Sequence, residues 1–100
     1  MEILFEYHDV ATSERLEAHA KEKLETLLIR FDFVVRADVF FKTENTTSDQ
    51  TGKICGIRLS APGPRLFSES SFDNFYDAVS KTVSELSRQL EKRKDKMKTY

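Results

Sequence analysis

Arg88, Lys92 and Lys96 stand four residues apart near the end of the chain, with Lys81 seven residues before Arg88. On an α-helix, four residues advance by about 400°, so these cations return to one side about 6 Å apart along the axis. A row of guanidinium and ammonium groups at that interval suits the phosphates of a polyanion. A second set, Arg15, His19, Lys23 and Arg30, recurs at helical spacing in the first third of the chain. Nothing in the sequence suggests bond-making chemistry. There is no glycine-rich phosphate loop, no Cys/His constellation, and no Ser, Cys or His whose neighbours suggest activation. The reading is therefore of a non-enzyme with no catalytic residue, no cofactor, no metal and no small-molecule substrate. Cys55, the single cysteine, alternates with apolar residues and reads as a packed small side chain. His8 and His19 read as surface residues rather than ligands.

The elements that must carry these residues follow from hydrophobic period. EILFEY (Glu2 to Tyr7) reads as a strand. A helix is expected over about 13–31, capped by Thr12 or Ser13, with Leu16, Ala20, Leu24, Leu27, Leu28 and Phe31 as its apolar face. FVVRADVFFK alternates, with Val35, Ala37, Val39 and Phe41 expected inward and Arg36, Asp38, Phe40 and Lys42 outward. A polar loop, TENTTSDQTG, precedes a strand with Cys55, Ile57, Leu59 and Ala61 on one face, and Pro62-Gly63-Pro64 turns the chain into the short strand RLFSES. From Asp73, apolar residues at 76, 79, 83, 86 and 90 mark a second long helix, which Leu90 and Met97 carry into the basic tail. Phe72, Phe75 and Tyr76 read as core residues or residues at the start of that helix. The expected fold class is α+β: a single domain over 1–100, order β-α-β-β-β-α, with a four-stranded sheet and two helices packed on one face. The part open to fraying is the tail, about 92–100.

Charge is sorted on both helices. Arg15, His19, Lys23 and Arg30 fall together beside the apolar sector of the first, while Glu14, Glu17 and Glu25 lie mostly on the other flank. On the second, Lys81, Arg88, Lys92 and Lys96 share a sector of about 80° away from the apolar stripe, with Glu85 inside it. Arg93, Lys94 and Lys98 point elsewhere and read as solvated or as outlying contacts. Basic residues at a helix C-terminus also complement the helix dipole, and on the second helix alone solvation is the commoner outcome. The case for a contact surface rests on the two helices lying side by side.

The totals are permissive. One hundred residues, 39% hydrophobic and 33% charged, suffice for one modest core. The formal net charge of -1 argues against indiscriminate binding to polyanions, yet Lys81 to Lys98 holds seven Lys/Arg against three acids. A single cysteine fits a reducing compartment, and neither a secretory signal nor a membrane span is evident, so a cytoplasmic protein without membrane partners is expected.

The element order, with Asn74-Phe75-Tyr76-Asp77-Ala78-Val79 opening the last helix, continues to Ser87-Arg88-Gln89-Leu90-Glu91-Lys92 and then Lys94-Asp95-Lys96 closing it. It resembles the short ribosome hibernation-promoting factors, also called ribosome-associated inhibitors or sigma-factor modulation proteins. The resemblance implies a protein, monomeric when free, that binds the small ribosomal subunit and its rRNA. Its place would be the mRNA and tRNA channel near the decoding centre, where it inhibits translation in stationary phase or starvation. It carries over RNA-contact roles for Lys23, Arg88 and Lys92; Arg15, Arg30, Lys81, Arg93, Lys94 and Lys96 rest on the charge map instead. Glu85 stands where relatives commonly have Lys, Asn74-Phe75-Tyr76 replaces Asp-Met-Tyr, and the turn at Ala61 to Pro64 is longer. A chain ending at Tyr100 is expected to lack the dimerising domain of the long factors. Two other readings stay open: a double-stranded-RNA-type module acting on free RNA, and a protein-interaction domain using an open sheet face with Phe40 and Ile54 exposed.

Overall fold

The computed structural model describes residues 2–97. Strand β1 (Glu2–His8) leads into helix α1 (Glu14–Ile29), strands β2 (Arg36–Thr43), β3 (Lys53–Ser60) and β4 (Leu66–Phe72) follow, and helix α2 (Phe75–Met97) ends the described chain. The α+β class and the β-α-β-β-β-α order are as expected. The strands lie side by side in the order β1-β2-β3-β4. β1 and β2 are parallel, Glu2 beside Arg36 and His8 beside Lys42, a pairing that requires the α1 crossover. The remaining pairs are antiparallel, placing Phe40 opposite Gly56 and Arg58 opposite Phe67.

Local chemistry fixes the helix starts. Ser13 caps α1, its hydroxyl accepting from the Leu16 amide at 3.1 Å. Asn74 does the same for α2, accepting from the Asp77 amide at 2.8 Å and donating back to the Asp77 carboxylate at 2.9 Å. Both helices cover one sheet face. Leu16, Ala20, Leu24 and Leu27 of α1 and Val79, Leu86 and Leu90 of α2 close over Ala37, Val39, Phe41, Cys55, Ile57 and Leu59. Phe72 and Phe75 pack at the edge of this core, Phe75 edge-on to Phe41.

Four expectations about individual side chains need correction. Val35 is 64% exposed, because the pleat begins only at Arg36 after a turn in which the Val34 amide bonds Phe31, and Val34 is the residue that reaches the core. The buried stripe of α2 is Ala78, Val79, Thr82, Leu86 and Leu90, rotated by about 50° from the expected one. Tyr76 is consequently exposed and Val83 faces the space between the helices, whereas Thr82 is buried and donates to the Cys55 carbonyl at 3.0 Å. Met97 continues the stripe past the end of the sheet and is exposed. Ile54, expected to be exposed on the open face, is buried. The Lys42–Glu69 ion pair, 3.7 Å, crosses β3 from β2 to β4 on that face and covers it.

Candidate nucleic-acid interface

α1 and α2 run in the same direction across the sheet. His19 meets Tyr76 edge-on near their starts, with ring centroids 5.0 Å apart, and Arg30 pairs with Glu91 near their ends. Between them lies a groove of about 540 Å³ whose walls carry Lys23 and Arg30 from α1 and Arg88 from α2, together with the carboxylates of Glu22 and Glu91, the latter held by Arg30. The side-by-side placement on which the charge argument depended is therefore present. Val83 and Leu27 form the floor, and Thr26, Ser84 and Ser87 add hydroxyls along the walls. These three were missed from the sequence, although Ser84 and Ser87 flank Arg88 at a spacing that puts all of them on one side of α2. Small hydroxyl residues keep the groove open; Ser84 and Ser87 offer donors to phosphate oxygens, while the Thr26 hydroxyl donates to the Glu22 carbonyl at 3.0 Å.

The other predicted residues divide. Lys81 reaches Glu85 at 3.1 Å and Arg88 reaches the same carboxylate at 3.4 Å, so the acid inside the basic row ties two of its cations together. The Lys81 hydrogen bond, then its charge and that of Arg88, hold the Glu85 carboxyl below its ordinary range. Lys92 continues the row one turn beyond Arg88, exposed. Lys96 is also exposed, one turn further. Arg15 is exposed at the start of the α1 edge that faces α2. Arg93 lies two turns beyond Leu86, in line with the buried stripe and past the sheet. It donates to the Pro62 and Pro64 carbonyls at 2.7 and 2.8 Å, which gives the long β3–β4 turn a fastening. Lys94 lies over the Phe31 ring at 5.7 Å, where Arg30 also stacks at 5.1 Å. Lys98 lies outside the described residues.

The groups that sequence reasoning set aside stay apart from the groove. Cys55 is fully buried and burial pushes its thiol up to about 12, the state of a packed residue rather than a nucleophile. His19, read as a surface residue, is half-buried, with a ring nitrogen that is enclosed and has no partner among the described residues. Tyr7 is raised by desolvation and by its hydrogen bond to Glu17 at 2.7 Å, fastening β1 to α1. Among the described residues no helix is long and apolar enough to cross a membrane.

A two-helix basic groove on a β-α-β-β-β-α sheet is the arrangement the sequence resemblance leads one to expect. The family described as Sigma 54 modulation protein / S30EA ribosomal protein matches residues 3–98. The chain belongs to that family. Among solved structures, a ribosomal subunit interface protein from Coxiella burnetii superposes with a TM-score of 0.80 at 22% identity, covering 95% of this chain and 99% of that one. The Thermus thermophilus Protein Y N-terminal domain gives a TM-score of 0.72 at 16% identity, covering 91% and 93%. These likenesses establish the fold, and at such identities they leave the S30EA-family chain its own surface. No curated protein sequence matches it. On this chain's surface the α2 row carries the Glu85 clamp and the β3–β4 turn is fastened by Arg93.

Proposed function

We propose that this chain binds the small ribosomal subunit in the channel used by mRNA and tRNA, near the decoding centre, and holds idle ribosomes out of translation in stationary phase or starvation. The observation that carries the reading is the convergence of Lys23, Arg30 and Arg88 on one interhelical groove, with Lys92 continuing the row in a chain of this family. The likeness to a ribosomal subunit interface protein supports the same partner.

The mechanism is occlusion. Lys23, Arg88 and Lys92 neutralise rRNA phosphates, with Lys81, Arg15, Arg30, Lys94 and Lys96 at the margins, while Arg93 holds the turn. Phosphate contacts supply affinity and orientation without reading bases. The packed body, 48 × 25 × 19 Å, then fills space that tRNA and mRNA would occupy. No bond is made or broken.

The test is charge reversal at the centre of the row. Arg88 and Lys92 are exposed and off the buried stripe, so Arg88→Glu with Lys92→Glu is expected to leave the thermal midpoint near that of the parent. It is expected to abolish co-sedimentation with small subunits in a sucrose gradient. Retained co-sedimentation would show that α2 does not face the rRNA.

A further inference from the structure

The side of the sheet away from the helices is uncovered, and its chemistry is not that of a merely solvated face. Phe40 of β2 and Phe67 of β4 stack across β3, ring planes 16° apart and centroids 6.2 Å apart. They meet because the residue between them is Gly56: a Cβ there would lie 2.1 Å from the Phe40 ring. Phe67 is 43% exposed, whereas Phe40 is half-buried, with the Lys42 ammonium 5.5 Å from its ring centroid and His8 edge-on to it, so the Phe67 end is the part of the aromatic shelf open to solvent. Beside it is a depression of about 280 Å³ walled by Phe40, Arg36, Arg58, Arg65, Asp38 and Glu6.

The charges around this depression are unequally engaged. Arg36 is held by Asp38 at 2.9 Å and lies 4.0 Å from Glu2, Lys42 is paired with Glu69, and Glu6 lies 3.4 Å from His8. The side chains of Arg58 and Arg65 have no ion-pair or hydrogen-bond partner among the described residues. α2 fastens the backbone beside both: Gln89 donates to the Phe67 carbonyl at 2.9 Å, across the ladder from Arg58, and Arg93 donates to the carbonyl of Pro64, next to Arg65.

We propose that this face is a second nucleic-acid site that takes a nucleotide of single-stranded RNA, with its base on the Phe40–Phe67 shelf and its flanking phosphates on Arg58 and Arg65. An unstacked base finds an aromatic plane, the two free guanidinium groups match phosphate, and the carboxylates of Glu6 and Asp38 at the β1 side direct the phosphates toward the β4 end. Glu6 is also an acceptor within reach of the depression for a base amine or a ribose hydroxyl. The site lies opposite the interhelical groove and does not depend on the function proposed for it.

The test uses the full chain and a short labelled oligoadenylate, read by fluorescence anisotropy at low salt. With the groove disabled by Arg88→Glu and Lys92→Glu, the chain is expected to bind with a log–log salt slope of about -1.4, the value for two phosphates on a single strand. Phe67→Ala is expected to weaken binding by about tenfold or more, and Arg58→Gln with Arg65→Gln to flatten the salt dependence. The comparison is made in the Arg88→Glu, Lys92→Glu background, where the groove's own phosphate binding is removed and the binding that remains is expected to depend on Phe67, Arg58 and Arg65. Ring resonances of Phe40 and Phe67 in the unaltered protein should shift on titration, a readout independent of any variant's folding. Absence of binding by the groove-disabled protein, binding that Phe67→Ala leaves unchanged in it, or a self-association that Phe67→Ala abolishes would each overturn the proposal.

Discussion

Glu85 decides how much of the α2 row is available to a phosphate. Its carboxylate engages Lys81 and Arg88 together, and the cations lower its pKa chiefly through the Lys81 hydrogen bond. A carboxyl that ionises more readily folded than unfolded contributes stability above its unfolded pKa and loses it as pH falls through the lower folded value. Here the group is half-buried at the helix surface, in reach of solvent, and the contribution is small. The larger consequence is for the proposed binding, in which an rRNA phosphate would have to compete with Glu85 for both cations. Glu85→Lys is expected to raise affinity for the small subunit and to steepen the log–log salt slope by about 0.9 for each added phosphate contact. Titrations at several salt concentrations check this, and unchanged affinity would mean that the row does not meet phosphate. The position of Glu85 in the row was legible from residue spacing. The enclosed nitrogen of His19 was not, because it depends on Tyr76, nearly sixty residues away, and the rotation of α2 that brings Tyr76 alongside.

At the scale of elements, the strands and helices were readable because alternation and the 3–4 spacing of apolar residues are local signals. What failed were judgements about single side chains that needed a neighbouring element. Val35 has the right parity but precedes the pleat. Thr82 is polar yet lies on the buried side of α2, and Ile54 is covered by an ion pair drawn from two other strands. The candidate site was legible to the same degree: the basic residues were visible, whereas their division between groove, turn and aromatic ring was not. Arg93 is the clearest case. It reads as one more cation in a basic tail, but both of its contacts are carbonyls of the Pro62–Pro64 turn, which Gly63 allows through a φ of 93°. Arg93→Ala is expected to lower stability by about 1 kcal/mol, measured by urea unfolding, through the lost hydrogen bonds. It should leave small-subunit binding far less affected than Arg88→Glu with Lys92→Glu. A loss of binding equal to that of the charge reversal would return Arg93 to the RNA contacts.

The whole molecule places its least accessible reactive group at its centre. Cys55 sits on β3, flanked by β2 and β4 and covered by α2 through Thr82, with no exposed surface and a thiol pushed up to about 12. At pH 8 only about one such thiol in ten thousand is ionised, so alkylation of the folded form is negligible and labelling reports opening of the central strand. That opening separates β3 from both neighbours and from the helix layer, which disrupts the face that carries the groove. Binding through the groove must then suppress labelling by mass action. With small subunits at about 100 times the dissociation constant, the labelling rate is expected to fall roughly a hundredfold. Mass spectrometry of a maleimide time course with and without subunits measures it, and Arg88→Glu with Lys92→Glu should abolish the protection while leaving the free rate near that of the parent. Protection that survives the charge reversal would place the ribosome contact on another face. A rate indifferent to saturating subunits would show that β3 opens locally while the groove remains intact.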